Sequence, residues 1–310
     1  MWKVAALYRF VEIADVPATQ AALKDVCNEN AACGTILIAP EGINGTFAAM
    51  EDKLANIIDW LDEHLEVSKG ELKYSTASEK PFLRMKVRQK KEIITMRAPE
   101  ANPTKQVGTY VEPSEWDELC ADPDVVLLDT RNKYETSCGI FKDALDPEID
   151  TFTEFKDYVE KELDPTKHKK IAMYCTGGIR CEKASSYMMA HGFDEVYHLK
   201  GGILKYLETI PADQSTWEGS CFVFDKRVAV NHGLQESPHL LCYGCRMPLT
   251  PEDKELPSYE LGVSCIHCHD NLTEERITAL RMRHQQFMRE AEAQKQAVNH
   301  ENTSKTSVAH

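Results

Sequence analysis

The segment KKIAMYCTGGIRCEKASSYMMAHG, residues 169–192, constrains the fold of this chain more than any other. An apolar run ends at Cys175, a Gly-Gly pair follows, and a helical pattern continues to Gly192. Such apolar runs are typical of strands buried on both faces of a parallel sheet, and glycine suits a helix C-cap. The segment therefore predicts a strand, a tight loop over residues 175–180 and a helix.

Two further apolar runs extend this pattern into a domain over residues 108–212. DVVLLDTR, which begins at residue 124, and EVYHLKGG, which begins at residue 195, each indicate a strand. The intervening chain is long enough for crossover helices, so we expect an α/β fold with a parallel sheet. Asp129 and Cys175 then lie at the carboxyl edge of that sheet, where open α/β folds bind their ligands.

The loop after Cys175 has the composition of an anion-binding cradle. Its two glycines tolerate positive φ and let several backbone N–H groups approach one sulfur atom. The helix N-terminus and the charge of Arg180 both favour a thiolate, so we expect a nucleophilic cysteine rather than a structural one. The predicted catalytic residues are Cys175 and Arg180, supported by Thr176, Gly177, Gly178, Ile179 and Cys181.

The loop resembles the active-site loop of rhodaneses, and the similarity extends across the predicted α/β domain. LLDTRNKYE, residues 127–135, resembles the upstream strand signature of that family, which implies that Asp129 and Arg131 lie near the loop. In GIFKDA, Ile140 and Asp143 stand where rhodaneses often carry a histidine and a glycine. This departure removes whatever hydrogen bond the histidine supplies elsewhere in the family.

The length of the loop separates it from related chemistry. Arg180 follows Cys175 by five positions, one fewer than in the C-x5-R loop of cysteine phosphatases, so the loop resembles that of sulfurtransferases, which hold a persulfide. Cys181 admits two roles. It can resolve a persulfide or an oxidised Cys175 by forming a disulfide, or it is a small core residue, which we favour.

Residues 1–97 alternate strand and helix signals in the order βαββαβ, with a strand signal continuing over residues 82–96. That order predicts a ferredoxin-like (acylphosphatase-like) α+β domain, and residues 97–108 are expected to form a linker. Seven basic residues against one acidic residue lie between Lys80 and Arg97. Such a strip can dock a phosphate backbone, although charge alone favours a solvated strand face. The predicted RNA-binding residues are Arg84, Lys86, Arg88, Lys90 and Lys91.

Residues 213–310 form a third, cysteine-rich region. Two C-x-x-C pairs separated by 19 residues match the spacing of structural zinc sites with four thiolates: Cys242, Cys245, Cys265 and Cys268. An iron–sulfur cluster and free or disulfide-linked cysteines remain alternatives. A charged helix is expected from Thr273 to Gln294, followed by a disordered tail from Ala297.

The composition excludes several classes of protein. The chain is 42% hydrophobic with a mean hydropathy of −0.43, and no apolar run approaches the roughly 18 residues of a membrane span. We find no signal peptide and expect a cytoplasmic protein without membrane association, in which eleven cysteines indicate catalysis or metal binding. A net charge of −14 argues against nucleic acid binding over the whole surface.

Three motifs together resemble the rhodanese-domain tRNA uridine(34) hydroxylase family: APEGINGTFA, CTGGIRCEKAS and the double C-x-x-C. The resemblance implies oxygen-dependent hydroxylation of the wobble uridine in tRNA to 5-hydroxyuridine, with Cys175 as the reactive group, either as a thiol or as a persulfide. It also implies O2 as cosubstrate, tRNA as partner and an unidentified electron or sulfur donor. The main alternative is a sulfurtransferase that carries a persulfide on Cys175. A third hypothesis is a zinc-ribbon RNA-binding module with a relic rhodanese domain.

Overall fold

The computed structural model describes the backbone of residues 1–225 and 227–306, and the side chains of residues 1–225, 227–290 and 292. The chain divides into two compact units. The first contains residues 1–221 and 232–234, and the second contains residues 222–231 and the chain from residue 235 onward. The first unit holds the two predicted domains that precede the cysteine-rich region.

The N-terminal domain is the predicted α+β sheet with two helices. Its elements are β1 (Trp2–Phe10), α1 (Val16–Glu29), β2 (Cys33–Ala39), β3 (Gly42–Met50), α2 (Glu51–Leu65), β4 (Glu71–Ala77) and β5 (Met85–Gln89). The strand order is β4-β1-β3-β2-β5, in which only the β2–β5 pair is parallel. The predicted βαββαβ fold is therefore confirmed, with β5 added at one edge.

The strand predicted over residues 82–96 is shorter than expected. It ends at Gln89 because the chain turns at Glu92, whose carboxylate accepts the backbone N–H groups of Met96 and Arg97 at 3.1–3.3 Å. Side-chain hydrogen bonds of this kind compete with a sheet ladder for the backbone. Ile93 and Met96 are buried without belonging to a strand.

The N-terminal sheet is covered on both faces. Helices α1 and α2 pack on one face, where Leu7, Ile36 and Phe47 are buried. Because strand residues alternate between faces, Tyr8 and Phe10 point to the other side, where they form a cluster with Ile93. Ile179 of the central domain packs against this cluster, so the second face of the sheet covers the loop that follows Cys175.

The central domain has the predicted parallel sheet. Its elements are β6 (Thr109–Val111), α3 (Pro113–Cys120), β7 (Val125–Asp129), α4 (Lys133–Thr136), β8 (Gly139–Phe141), α5 (Phe155–Glu162), β9 (Lys170–Tyr174), α6 (Ile179–Ala190), β10 (Glu195–Leu199), α7 (Gly202–Thr209) and β11 (Trp217–Gly219). The parallel order is β6-β10-β9-β7, while β8 and β11 form a separate antiparallel pair. Three of the four parallel strands are the ones that the apolar runs predict.

Helix α6 lies between the two domains of the first unit. Eight of its twelve residues are buried, far more than a helix with one solvent-exposed face would show. Gly192 follows its C-terminal end at φ +87°, as expected for a glycine after a C-cap. The predicted linker also packs against this region, since Ala98 and Ala101 are buried in the core of the central domain.

The second unit is small and has little regular structure before its final helix. The chain enters it through β12 (Cys221–Phe222), and the further elements are β13 (Ala229–Val230), β14 (Leu240–Leu241), β15 (Pro248–Leu249) and α8 (Glu274–Thr306). Helix α8 extends beyond the predicted end at Gln294, and the backbone from Ala297 to Thr306, where the sequence suggests disorder, is helical. Residues 307–310 of that predicted tail lie outside the described residues. None of the described helices is both long and apolar enough to cross a membrane.

Candidate active site

Cys175 lies at the end of β9, at the base of the loop that leads into α6. Its side chain is fully buried, and its Sγ accepts the backbone N–H of Gly178 at 3.1 Å. Gly178 has φ +105°, a conformation that L-residues rarely adopt. A Cβ at this position would also lie 2.6 Å from the hydroxyl oxygen of Tyr8. Glycine is therefore required here both by the backbone and by the neighbouring domain.

The surroundings of Cys175 favour a thiolate. Burial raises the pKa of the Cys175 thiol, but the Cys181 thiol, the charge of Arg180 and the backbone N–H groups of Cys181 and Gly178 lower it, giving a pKa of about 5. Hydrogen bonds and a nearby cation stabilise only the charged form, so together they outweigh desolvation. The sulfur that the sequence predicts to be nucleophilic is mostly ionised at neutral pH.

Arg180 does not point freely at the sulfur. Its guanidinium donates to both carboxylate oxygens of Glu135, at 2.5 and 2.7 Å, and both side chains are almost completely buried. Thr176 donates to the same carboxylate at 3.1 Å, as does the backbone N–H of Asn132 at 3.2 Å. Glu135 therefore holds Arg180 and Thr176 of the loop in place from α4. Its signal in the sequence is the Asn132-x-x-Glu135 capping box, which does not by itself point to the site.

Asp129 and Arg131 bind each other rather than the loop. The Arg131 guanidinium donates to Asp129 at 2.7 Å and to the carbonyl oxygens of Glu135 and Gly139 at 3.2 and 2.7 Å. Both side chains are fully buried. The pair supports the short helix that carries Glu135, so its connection to Cys175 is indirect.

Cys181 lies in the first turn of α6 and is fully buried in the core of the central domain. Burial raises its pKa well above the ordinary value, and the neighbouring Cys175 raises it further. Its sulfur lies 3.6 Å from the hydroxyl oxygen of Thr130. A thiol that keeps its proton can donate a hydrogen bond to the Cys175 thiolate. This position suits both of the roles that the sequence leaves open.

The remaining loop residues differ in their surroundings. Gly177 has open space where a Cβ would lie, whereas Ile179 packs against the apolar cluster of the N-terminal domain. The segment after β10 closes the loop from another side, because the N–H groups of Ile203 and Leu204 donate to the carbonyl oxygens of Cys175 and Thr176. The backbone of the loop is thus fixed at several points.

The four cysteines of the second unit form one cluster. Their sulfur atoms lie within 4.8 Å of one another, with 3.7 Å between Cys245 and Cys265 and 3.9 Å between Cys265 and Cys268. A tetrahedral zinc site with Zn–S bonds of about 2.3 Å requires sulfur separations of about 3.8 Å. All four are free thiols, so the disulfide alternative does not describe this structure. This set of donors can hold a metal ion.

The turns that present these sulfurs are alike. In the first, between β14 and β15, the N–H of Arg246 donates to the carbonyl of Cys242 at 2.9 Å. In the second, the N–H of His269 donates to the carbonyl of Cys265 at the same distance. Gly244 of the first turn lies so close to Val263 that a Cβ would approach its carbonyl oxygen to 2.2 Å. The two turns are therefore packed against each other.

Comparison with known proteins accounts for nearly the whole chain. Residues 2–93 match the family described as UPF0176 acylphosphatase like domain, and residues 112–209 match the rhodanese-like domain. The chain is 53% identical over 284 residues to "tRNA uridine(34) hydroxylase" of Rhizobium leguminosarum bv. trifolii (strain WSM2304), covering 92% of each chain. It is also 53% identical over 284 residues to the protein of the same name from Sinorhizobium fredii (strain NBRC 101917 / NGR234), covering 92% of this chain and 90% of the relative.

The chain belongs to the tRNA uridine(34) hydroxylase family. The resemblance seen in its three motifs is thereby confirmed.

In this member of the tRNA uridine(34) hydroxylase family, the N-terminal domain contacts the segments around the candidate site, which the sequence did not indicate. The Tyr8 hydroxyl donates to Glu182 of α6 at 2.9 Å. Lys73 of β4 donates to the carbonyl oxygen of Gly201 at 2.8 Å. Burial raises the pKa of Glu182 and lowers that of Lys73, while the charge of Cys175 acts on Lys73 in the opposite direction.

A second polar contact joins the domains through Lys183, which follows Glu182 in α6. Its buried ammonium donates to both carboxylate oxygens of Glu41 at 2.8 and 2.9 Å, and to Glu92 at 2.7 Å. It also donates to the carbonyl of Ile94 at 3.0 Å. Glu41 belongs to the APEGINGTFA motif, so this part of the family resemblance lies at the domain boundary.

The predicted RNA-binding residues lie in and directly beside β5, an edge strand of the N-terminal sheet. Four are exposed and one is partly buried: Arg84, Arg88, Lys90 and Lys91 in the first group, and Lys86 in the second. Val87 points inward, so Lys86 and Arg88 lie together on the other side of the strand. Within the described part of the chain, none of the five forms an ion pair, and their charges are available to a ligand.

Proposed function

We propose that this chain hydroxylates uridine 34 of tRNA to 5-hydroxyuridine, with the sulfur of Cys175 as the reactive group and O2 as cosubstrate. The observation that carries the proposal is the 53% identity, over 92% of both chains, with a protein named tRNA uridine(34) hydroxylase. The low pKa of Cys175 supports it, because the thiolate is the reactive form of a cysteine. Insertion of one oxygen atom from O2 reduces the other to water, so an electron donor is a required partner.

The basic strip on β5 is the part of the surface best suited to the tRNA backbone. It consists of Arg84, Lys86, Arg88, Lys90 and Lys91. Unpaired cations on an otherwise acidic protein attract phosphates locally while the rest of the surface repels them. We assign these five residues to tRNA binding, and we assign the reaction to the cytoplasm.

The four-cysteine cluster is assigned to structural zinc. All four positions of a tetrahedron are filled by protein sulfurs, which leaves no open position for a substrate. The buried residues around it are few, so metal binding would supply a large share of the folding free energy of the second unit.

The proposal is tested by measuring 5-hydroxyuridine and its derivatives in digested total tRNA from cells that lack the protein. These cells are complemented with wild type, with Cys175→Ser or with Cys120→Ser. Cys120 is partly exposed and lies in α3, outside the site, so it is the matched control. We expect wild type and Cys120→Ser to restore the nucleoside and Cys175→Ser to fail. Restoration by Cys175→Ser would contradict the role of the sulfur.

A sulfurtransferase is the second candidate function. It is favoured by the Gly178 N–H bound to Cys175 Sγ, because the same donor can stabilise a persulfide anion. The same tRNA digests distinguish the two functions. If 5-hydroxyuridine is unchanged while thiolated nucleosides fall in the absence of the protein, the sulfurtransferase is correct.

A further inference from the structure

Two adjacent strands of the N-terminal domain, β1 and β4, contact the central domain close to Cys175. In the pairing of β1 with β4, Tyr8 lies opposite Glu71 and Ala6 lies opposite Lys73. Residues two positions apart on a strand share a face, so Tyr8 and Lys73 both project toward the central domain. Their contacts with Glu182 and with the Gly201 carbonyl confirm this direction.

Lys73 is held close to the loop of Cys175. Its Nζ lies 2.8 Å from the carbonyl oxygen of Gly201. The next residue, Gly202, packs against the loop so closely that a Cβ would lie 2.5 Å from the carbonyl oxygen of Cys175. The ammonium is thus anchored to backbone that itself contacts Cys175.

Lys73 also differs from Arg180 in its electrostatic state. Arg180 is held in a two-point ion pair with Glu135, whereas Lys73 has an uncharged carbonyl as its acceptor and forms no ion pair among the described residues. Its pKa is lowered by burial and raised by the charges of Glu71 and Cys175. A partly buried ammonium without a direct counter-ion is suited to bind an oxygen atom that becomes negative during a reaction.

The proposed reaction determines which oxygen that is. It places oxygen on C5 of uracil, and C5 becomes electron-rich when a nucleophile adds to C6. We propose that the Cys175 thiolate adds to C6 of uridine 34 and that Lys73 is a catalytic residue that binds O4 of the resulting enolate. This inference rests on the proposed function, since it takes uridine 34 as the substrate.

The step is balanced without a further reagent. The S–C6 bond forms, the C5=C6 π bond breaks, and its electron pair is shared by C5 and O4. No proton moves to or from Cys175, which is already ionised, and Lys73 donates a hydrogen bond to O4 without giving up its proton. Oxygenation of C5 then uses the O2 and the electron donor of the proposed function: the C5 electron pair forms the C5–O bond, and two electrons from the donor, with protons from water, reduce the other oxygen atom to water. Water takes the C5 proton, the C5–H electron pair restores the double bond, and the electron pair of the C6–S bond returns to sulfur.

Entry of the uracil base would replace the hydrogen bond from Lys73 to the Gly201 carbonyl with one from Lys73 to O4. Cys175 is fully buried in the free protein, so uracil must displace some of the contacts between the N-terminal domain and the segments around Cys175. The bond from Lys73 to the Gly201 carbonyl is one of these, and O4 can replace that carbonyl as its acceptor. Lys73 therefore passes from one oxygen to another and remains hydrogen-bonded.

The experiment uses the full-length protein and an anticodon stem-loop with 5-fluorouridine at position 34. Addition of sulfur to C6 followed by protonation at C5 gives a covalent adduct, which is measured by denaturing electrophoresis and mapped by mass spectrometry. The variants are Lys73→Met, Lys73→Arg and Cys175→Ser. Lys69→Met is the control, because Lys69 is an exposed lysine of the same domain, 61% accessible, whose ammonium pairs with Glu66.

We expect wild type and Lys69→Met to form an adduct at Cys175 and Cys175→Ser to form none. Lys73→Met should slow adduct formation about 100-fold, as loss of one oxyanion donor does. RNA binding and the thermal midpoint should stay close to wild type, and Lys73→Arg should recover part of the rate. An unchanged rate in Lys73→Met would overturn the role of Lys73.

Failure of this inference is distinguishable from failure of the proposed function. If wild type forms no adduct while the same preparation hydroxylates uridine 34, addition to C6 is wrong and the proposed function stands. If the adduct forms at Cys175 but cells lacking the protein keep all their 5-hydroxyuridine, the inference on C6 stands and the proposed function is wrong.

Discussion

Arg180 and Glu135, 45 positions apart in the sequence, form a two-point ion pair beneath the loop of Cys175, with N–O distances of 2.5 and 2.7 Å. The side chains are 8% and 0% exposed, so water screens the pair very little. The arginine therefore links the pKa of the sulfur to the position of α4.

Replacement of Arg180 by methionine should both raise the pKa of Cys175 and destabilise the fold. The pKa rises because the charge of Arg180 helps to lower it. The free energy of unfolding should fall by about 3–5 kcal/mol because Glu135 is left buried and unpaired. Urea unfolding and a thiolate titration measure the two effects. The double variant Arg180→Met/Glu135→Gln should recover stability but not the low pKa, and equal behaviour of both variants would contradict this account.

The ionisation of Cys175 should be visible in its ultraviolet thiolate absorbance, compared between wild type and Cys175→Ser. We expect a midpoint at about pH 5. A folded-state pKa below the ordinary thiol value stabilises the fold at high pH. This contribution is complete above the ordinary pKa and is lost as the pH falls through about 5. A midpoint near the ordinary value of about 8.5 would show that the loop does not stabilise the thiolate.

Loss of the Lys183 ammonium should weaken the contact between the two domains of the first unit. Lys183→Met leaves Glu41 and Glu92, each 18% exposed, without their shared cation. We expect a loss of about 3–5 kcal/mol in urea unfolding. Lys205→Met, which removes an exposed pair with Glu208, should cost less than about 1 kcal/mol. Similar losses in both variants would mean that burial of Lys183 is energetically unimportant.

Reversing the charge of the basic strip should weaken tRNA binding without changing the reactivity of the Cys175 sulfur. Lys86, Arg88, Lys90 and Lys91 are changed to glutamate, and affinity is measured as a function of salt concentration. Every phosphate that is no longer bound should reduce the slope of log affinity against log salt by about one. Reversal of the exposed lysines Lys142, Lys161, Lys167 and Lys169 is the control. If turnover of thiosulfate falls as much as tRNA hydroxylation, the strip is not a tRNA site.

The purified chain should contain one zinc ion. Elemental analysis of protein dialysed at neutral pH tests this, and Cys265→Ser should lose the metal because a buried ligand is removed. Cys120→Ser should keep it. A strong chelator should unfold the second unit while the Cys175 titration remains unchanged. Iron with acid-labile sulfide would instead identify an iron–sulfur cluster, and protein without metal would leave four free thiols.

The elements nearest the sulfur of Cys175 are predictable because their signals are local. The strand before Cys175, the glycines after it and the helix up to Ala190 follow from one continuous segment. Glu135, Tyr8 and Lys73 are not recognisable in the sequence as residues of the candidate site, because each contacts the loop or a segment next to it from a distant part of the chain. No periodic sequence pattern marks a single carboxylate, phenol or ammonium that makes such a contact.

Strand length is less predictable than strand position for a similar reason. The run over residues 82–96 has the composition of one long strand, yet the Glu92 carboxylate binds backbone N–H groups and ends the pairing at Gln89. Glu92 adopts this position next to Lys183, which lies in the other domain. A tertiary contact thus overrides a local preference.

Glu182 and Lys183 are consecutive residues, and each is bonded to the N-terminal domain. Two polar side chains of α6, the helix that follows the Cys175 loop, therefore find their hydrogen-bond partners in the other domain. In the isolated central domain, Glu182 and Lys183 would lose these partners. The stability of the two domains is consequently shared, because Lys183 of one is paired with Glu41 and Glu92 of the other.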